Sequence, residues 1–271
     1  MTTPAFWVPE GEDVFRATIH TQGPWNPQFQ HGGPPAALLV RQMEQCSPRP
    51  EMVLARVTID ILGPVPLAAL RATACLVRPG RRVELLEAFL EYEGRPVMHA
   101  SGWRVQAPST RPDVLETGNI PPLPEHSDDV AAIPEWQCGF LAATEWRFVR
   151  GGYARPGAAV AWTQLRYPLI EGEAVTPAQR LLAAADSANG ISSPLDIRSW
   201  QFVPPELTVH CLRPPVGTWI CLDASTHLQS EGVGLTTADL YDECNLVGRS
   251  AQALLIAPRA EEKTYDVRKT R

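Results

Sequence analysis

The sequence predicts an α+β fold of two tandem units, each with one central helix wrapped by an antiparallel sheet. Three observations support this: a strand pattern recurs at a fixed interval, tight turns separate the strands, and each repeat carries one apolar helix. Strands joined by tight turns must be antiparallel. A helix that is apolar nearly all round must be buried. The length of 271 residues is enough for two domains of ordinary size.

The fixed interval is 150 positions, which carries residues 56–64 onto residues 206–214 without a gap. The same shift holds further along the chain, over about 40 positions, which is the signature of an internal repeat. The aligned pairs are Thr58 with Thr208, Ile59 with Val209, Leu62 with Leu212, Pro64 with Pro214, Leu90 with Leu240 and Val97 with Val247. A gap-free shift that matches a threonine and a proline indicates duplication of one unit.

Each copy predicts a leading strand, one helix and a run of long strands rich in Val, Leu, Thr and aromatic residues. The expected strands of the first copy are residues 13–20, 52–62, 69–77, 83–92 and 97–105. Those of the second copy are residues 145–150, 158–167, 207–212, 219–227, 233–241 and 247–256. We therefore expect an N-terminal unit over residues 1–106, a proline-rich linker over 107–137, a C-terminal unit over 138–258 and a charged tail over 259–271.

Both helices have recognisable ends. The first is expected to begin at His31 and to run to Cys46, with Pro48 after it. The second has a capping box that starts at Thr176 with a proline in the first helical position, and Gly190 is expected to end it.

Composition and charge exclude several classes of protein. The net charge is -6 and the charges are scattered, which argues against a nucleic-acid-binding face. No apolar run approaches about 18 residues, so no membrane span is expected, and the N-terminus lacks the pattern of a signal peptide. Six cysteines show neither a CxxC pair nor a zinc-type spacing with histidine. We interpret them as reduced core residues of a cytoplasmic protein, and we predict no metal and no cofactor.

One helix wrapped by one antiparallel sheet, twice over, is the double-hotdog architecture, and the sequence resembles the acyl-CoA thioesterase II family. The segments that carry the resemblance are QHGGPPAALL, AQRLLAAADSANG and LVGRSAQALL. The resemblance implies an acyl-CoA substrate and hydrolysis to the free acid and CoA. Such double units often pair further as homo-oligomers, and the sequence leaves the oligomeric state open.

The resemblance also implies a catalytic set. In that family an Asp on the second helix, a hydroxyl residue on the next strand and a Gln on the last strand hold the attacking water. Asp186 and Gln252 match the first and last of these. The hydroxyl is ambiguous, because alignment on the downstream proline selects Pro204, whereas counting forward from the Asp selects Thr208.

The duplication indicates which copy can supply each part of the chemistry. Asp186 aligns with Val40 and Gln252 aligns with Gly102, so only the second copy has this carboxylate and amide. Conversely, Gly32 and Gly33 open the first helix, and the second copy has Ala178 and Gln179 at the corresponding positions. Free N–H groups at a glycine-lined helix start can stabilise an oxyanion. We therefore expect one composite site per chain and an inactive pseudo-equivalent site.

Each assignment has a structural alternative. Asp186 could be a hydrogen-bonded residue between helices, Gln252 a surface residue and Thr208 a strand residue like its counterpart Thr58. His31, beside the oxyanion glycines, could bind substrate or simply cap the helix. Arg78, Arg81 and Arg82 form a dense basic cluster that is expected to contact the phosphates of CoA at the entrance, or to be a solvated turn.

Two other functions remain open at this point. A hotdog enoyl-CoA hydratase or dehydratase would need a histidine beside an acid near the helix start, which only His31 and Asp186 could supply. A non-catalytic protein that binds acyl-CoA would keep the fold without turnover. The sequence does not specify the length of the acyl chain.

Overall fold

The computed structural model describes residues 4–108, 110, 119–126 and 134–259. The helices in these ranges are α1 (Gly33–Gln45), α2 (Gly139–Ala142), α3 (Pro177–Ala185) and α4 (Ala188–Ser192). The strands of the first half are β1 (Trp7–Pro9), β2 (Val14–Ala17), β3 (Met52–Ile61), β4 (Ala69–Arg78), β5 (Val83–Tyr92) and β6 (Arg95–Gln106). Those of the second half are β7 (Thr144–Gly152), β8 (Arg155–Leu165), β9 (Trp200–Val203), β10 (Glu206–Cys211), β11 (Ile220–Leu228), β12 (Val233–Tyr241) and β13 (Leu246–Pro258).

These strands form one continuous antiparallel sheet in the order β1-β2-β4-β5-β6-β3-β10-β13-β12-β11-β8-β7, with β9 beside β13. The two halves join where β3 pairs with β10, and there Thr58 lies directly opposite Thr208. Because these two threonines are also equivalent in the repeat, a pseudo-twofold axis passes between them. Their hydroxyl oxygens are 3.2 Å apart.

The duplication extends to individual backbone hydrogen bonds. Leu62 N–H donates to the Val97 carbonyl at 3.1 Å, and Leu212 N–H donates to the Val247 carbonyl at 2.8 Å. Both partners are displaced by the same 150 positions that relate the two copies in sequence. The repeat predicted from the sequence is therefore a repeat of backbone structure, and the double-hotdog prediction is confirmed.

Helices α1 and α3 pack against each other inside the curled sheet. The side chains of α1 are buried from Gly33 to Met43, and Leu38, Leu39 and Val40 are fully inaccessible to solvent. Each such aliphatic side chain stabilises the fold by roughly 1.5–3 kcal/mol on burial. The helix is enclosed because it is apolar on almost every side.

The second helix is shorter than the sequence predicted. The capping box of Thr176 is present, but α3 ends at Ala185 and Asp186 occupies its C-cap. Ser187 N–H bonds to the Ala184 carbonyl three residues back, which tightens the last turn. The chain then restarts as α4, so Gly190 lies inside this short helix instead of ending the long one. This break places Asp186 at the junction between two helices.

The cysteine prediction needs a correction. All six thiols are free, but only Cys138 and Cys221 are buried, while Cys75 and Cys244 are exposed on strand and turn positions. Of the predicted terminal tail, residues 260–271 lie outside the described residues, as does much of the predicted linker. None of the helices in the described part of the chain has both the length and the apolar content needed to cross a bilayer.

Candidate active site

The carboxylate of Asp186 lies against the start of α1, so one group from each half meets at this point. A Cβ placed on Gly32 would be 2.8 Å from Oδ2 and 2.9 Å from Oδ1 of Asp186. Any side chain larger than hydrogen would therefore displace the carboxylate. The nearby backbone N–H groups of Gly32 and Gly33 stabilise its ionised form, and Gly33 N lies 3.1 Å from Nδ1 of the adjacent His31. The composite arrangement expected from the sequence is thus the arrangement that the two helices adopt.

Burial is the main influence on Asp186, whose exposed fraction is 6%. It raises the pKa of the carboxyl above its usual range, while His31 and the N–H groups of Gly32 and Gly33 oppose part of that increase. A carboxylate with a raised pKa is a stronger base than an exposed one. Catalytic sites commonly contain a buried acid at a cavity whose pKa is shifted in this way.

His31 completes this polar group. Its Nδ1 lies 3.0 Å from Asp186 Oδ2, and its ring stacks on Phe140 with centroids 3.9 Å apart. Burial lowers the pKa of His31, with Asp186 acting in the opposite sense, so the imidazole is neutral near neutral pH. A neutral ring has one N–H, yet Nδ1 is also 3.1 Å from Gly33 N. We assign the proton to Nδ1, because a bond to a carboxylate is the stronger of the two.

Gln252 approaches Asp186 from β13 and is fully buried. Its Nε2 is 3.3 Å from the Asp186 carbonyl oxygen and 3.5 Å from Oδ1. Its Oε1 has no hydrogen-bond partner among the described residues. Since buried acceptors ordinarily have a partner, this oxygen is suited to accept a hydrogen from a water beside Asp186.

A cavity of about 380 Å³ opens onto Asp186, His31 and Gly32; we call it the first cavity. Both halves of the chain and the predicted linker contribute to its walls. The apolar side chains among them are Trp25, Phe29, Ile61, Val65 and Met98 from the first half, Trp136 from the linker, and Val203 and Leu255 from the second half. Apolar walls around a few polar groups are typical of a ligand site.

Thr208 does not join this group. Leu207 and Val209 point into the core with exposed fractions of 1% and 0%. Since strand side chains alternate between faces, Thr208 lies on the opposite face, where its hydroxyl meets Thr58. Pro204 lines the first cavity instead. Of the two candidate positions, the one selected by the downstream proline thus lies at the first cavity, and it carries no hydroxyl.

The basic cluster is not among the described residues that line the first cavity with Asp186. Arg78, Arg81 and Arg82 are exposed in the turn between β4 and β5. Arg49 donates to the carbonyls of Gly80 and Arg81 in that turn, at 2.9 and 3.2 Å. Arg49 lines a different cavity, described below. No lysine or arginine is among the described residues that line the first cavity.

Two residues of interest were missed in the sequence. Glu44 reaches the start of α3, where it accepts hydrogen bonds from Thr176 Oγ1 at 2.9 Å and Gln179 Nε2 at 2.8 Å. The first copy therefore does place a carboxylate at the other copy's helix start, one turn beyond Val40. The spacing of four residues along one helix face could have revealed it. Trp136 belongs to the predicted linker, and nothing in its local pattern indicated a place in a cavity wall.

Comparisons with known proteins agree with this architecture. A model described as the acyl-CoA thioesterase N-terminal domain matches residues 21–105, and one described as the acyl-CoA thioesterase C-terminal domain matches residues 124–256. A search of the curated proteins finds no match.

Solved structures show the same fold at low sequence identity. A protein assigned as a thioesterase II from Thermobifida fusca is 19% identical, with a TM-score of 0.71 over 95% of this chain and 100% of that chain. The acyl-CoA thioesterase II of Mycobacterium marinum is 14% identical, with a TM-score of 0.65 over 95% of this chain and 96% of that chain. At these identities the structures support the fold alone. With both domain models matched in order along the chain, the protein belongs to the acyl-CoA thioesterase family.

Proposed function

We propose that this chain hydrolyses acyl-CoA thioesters at the composite site formed by Asp186, Gln252 and the start of α1. The observation that carries the proposal is the contact of the buried Asp186 carboxylate with Gly32 at an apolar cavity. The amide of Gln252, whose oxygen has no partner among the described residues, lies beside this carboxylate. Thioester hydrolysis requires a base for water, donors for the developing oxyanion and an apolar slot for the acyl chain. The two halves together supply all three.

In the proposed mechanism a water donates one hydrogen to Asp186 and the other to Gln252 Oε1. The water oxygen attacks the thioester carbon as its proton passes to Asp186. His31, through its Nδ1–H, orients the carboxylate and remains neutral. The tetrahedral intermediate then collapses, the carbon–sulfur bond breaks, and the thiolate of CoA takes the proton from Asp186. The products are the free acid and CoA.

The start of α1 has a double role in this scheme. In the resting site its N–H groups stabilise the ionised Asp186 carboxylate. When Asp186 becomes neutral, the negative charge has moved to the carbonyl oxygen of the substrate, and the same N–H groups can bond to that oxygen. The positive end of the helix dipole thus faces one negative charge throughout. The sequence predicted that these N–H groups would be free to stabilise an oxyanion. In this scheme they become free for the substrate only when a proton has passed to Asp186.

The experiment is an assay of free CoA thiol over a panel of saturated acyl-CoAs of increasing chain length. We expect the wild-type chain to release CoA from part of the panel, and Asp186→Ala to release none above background. Equal turnover by the variant and the wild type would refute the assignment of Asp186.

The 3.0 Å contact between His31 and Asp186 supports a second candidate, hydration of an enoyl-CoA. A histidine beside an acid could share the proton transfers that addition of water to a double bond requires. Incubation with an enoyl-CoA separates the two functions, because hydration removes the absorbance of the conjugated thioester without releasing thiol.

Pro204 at the cavity wall supports a third candidate, a protein that binds acyl-CoA without turnover. The resemblance assigns a water-holding hydroxyl to that position, and proline has none. Tight binding of an acyl-CoA with no release of thiol over the whole panel would favour this function.

A further inference from the structure

A second cavity of about 390 Å³ lies across the pseudo-twofold axis from the first. Six of its lining residues are the repeat equivalents of residues that line the first cavity. The pairs related by 150 positions are Ile61 with Cys211, Gly63 with Arg213, Pro64 with Pro214, Val65 with Pro215, Val203 with Val53, and Pro204 with Leu54. The start of α3, at Pro177 and Ala178, replaces the start of α1. The duplication therefore produced two cavities of nearly equal size.

The second cavity lacks the hydrolytic groups of the first. Val40 and Gly102 stand where Asp186 and Gln252 stand in the other copy. The carboxylate that does reach the helix start, Glu44, is engaged by Thr176 and Gln179. Water there has no equivalent of the Gln252 acceptor, so we assign the second cavity no hydrolysis.

Its rim is basic, in contrast to the rim of the first cavity. Arg49, Arg104 and Arg213 line it, and Arg49 connects it to the turn that carries Arg78, Arg81 and Arg82. These last three arginines are exposed and have no carboxylate partner among the described residues. The carboxylates that accompany the lining arginines are Glu51, Glu84 and Asp242. With Glu44, which also lines the cavity, four carboxylates face these six arginines. The excess of positive charge therefore comes from the three arginines of the adjoining turn, although the whole chain is negative.

The equivalent turn beside the first cavity has no such charge. Residues 228–232, which correspond to residues 78–82, read Leu-Gln-Ser-Glu-Gly. The two turns nevertheless make the same backbone bond: Gln106 N–H donates to the Arg82 carbonyl at 2.8 Å, and Ile256 N–H donates to the Gly232 carbonyl at 2.9 Å. The scaffold is shared, so the arginines are a feature of one side only.

The interior of the second cavity suits an aliphatic chain with an oxygen-bearing head. Met52, Val53, Leu54 and Leu181 supply apolar walls. Arg104 is only 4% exposed, yet its Nε–H has no acceptor among the described residues. Buried donors ordinarily have an acceptor, and a carbonyl oxygen of a ligand would supply one.

From this we infer that the second cavity binds a second molecule of acyl-CoA and does not hydrolyse it. The acyl chain occupies the apolar interior, and the phosphates of the CoA head contact Arg78, Arg81 and Arg82, since guanidinium groups favour phosphate. A free fatty acid fits less well, because it has no phosphates for these three arginines to contact. The choice of ligand rests on the proposed function, whereas the existence and charge of the site do not.

The test is calorimetric titration of the full chain with the dodecyl thioether of CoA, which cannot be hydrolysed. We expect each chain to bind two equivalents of the thioether. The dissociation constant of one of them should match the inhibition constant of the thioether in acyl-CoA hydrolysis. The variant Arg78→Gln/Arg81→Gln/Arg82→Gln should weaken the other equivalent at least tenfold. As a control, Arg150→Gln/Arg249→Gln removes two exposed arginines of the second half and should keep both equivalents.

A single equivalent in the wild type, or two equivalents that the triple variant leaves unchanged, would overturn the inference. So would dodecanoic acid filling the second site as tightly as the thioether does. The proposed function can be refuted independently of this inference. If the wild type binds two equivalents and the triple variant weakens only one of them, the second site is supported even if the chain releases no CoA. Conversely, CoA release with one equivalent would contradict only the second site.

Discussion

The first and second cavities share a backbone frame and differ in the side chains at the two helix starts. At the first cavity Gly32 leaves room for a carboxylate from the other copy to contact the backbone of α1. At the second cavity the start of α3 is closed by its own capping box, and Glu44 bonds to the capping side chains. After duplication, a single set of hydrolytic groups was sufficient for chemistry. The same backbone frame could therefore hold two different sites.

Among changes outside the carboxylate itself, the largest effect is expected from removing the glycine that distinguishes the first cavity. Gly32→Ala would put a Cβ within 2.8 Å of the Asp186 carboxylate and move it. Since a displacement of about 1 Å can cost about 10²-fold in rate, we expect kcat to fall by about that factor. Steady-state release of CoA measures it.

The matched variant at the second cavity is Ala178→Gly, which should leave kcat unchanged. It should cost stability, roughly 0.8–1 kcal/mol, since glycine is a poorer helix former than alanine. If both variants lost activity equally, the distinction between the two helix starts would be wrong.

The next effect concerns chain length and depends on Trp136, an aromatic wall that the second cavity lacks. Trp136 and Gly190 also line a smaller cavity of about 130 Å³ behind the first, and the ring lies 3.3 Å from a Cβ built on Gly190. Trp136→Leu should join the two spaces. We expect the ratio of kcat/KM for long over short acyl-CoAs to rise about tenfold, since one methylene in a pocket is worth at least that much. A ratio that did not change would show that the acyl chain runs elsewhere.

A smaller loss is expected at Gln252. Gln252→Met keeps the volume and removes the acceptor that we assign to the attacking water. One neutral hydrogen bond is worth about 1 kcal/mol, or about fivefold in rate. We expect kcat to fall by that factor with KM unchanged, because the bond acts on water and not on the substrate. A change confined to KM would assign Gln252 to substrate binding.

The smallest effect is a shift in pH dependence. Asp186 must be ionised to accept a proton, so kcat/KM should fall as pH decreases through its raised pKa. His31 opposes the rise in the pKa of Asp186, so His31→Leu, which removes both the N–H donor and the ring that can carry charge, should raise that pKa and move the acidic limb of the profile to higher pH. A limb at the same pH in both proteins would exclude a contact between the two groups in solution.

The fold was predictable because its signals are local or periodic. Alternating apolar residues located the strands, and the interval of 150 located their partners in the other half. The contact between Asp186 and Gly32 was predictable because only the second copy has this carboxylate and only the first copy has the glycines at its helix start. The break after Ala185 was not predicted, because the run of alanines favours a helix and only tertiary contacts of α4 end it there.

The site was predicted less completely because it depends on which side chains are close in space, and spacing along the sequence does not give those distances. Thr208 was ambiguous by spacing, although the alternation of Leu207 and Val209 already placed its hydroxyl on the outer face. The three arginines of the β4–β5 turn were recognised as a basic cluster, but only the packing of Arg49 against that turn shows which cavity they border.

The central claim is that hydrolysis occurs at one of two equivalent cavities. The most direct test compares two isosteric changes, Asp186→Asn and Glu44→Gln, by steady-state release of CoA from the best substrate. Loss of a general base should reduce kcat by about 10³-fold in Asp186→Asn, whereas Glu44→Gln should remain within about twofold of the wild type because a neutral amide can still accept the bonds from Thr176 and Gln179. Comparable losses in both variants, or a loss only in Glu44→Gln, would contradict the account.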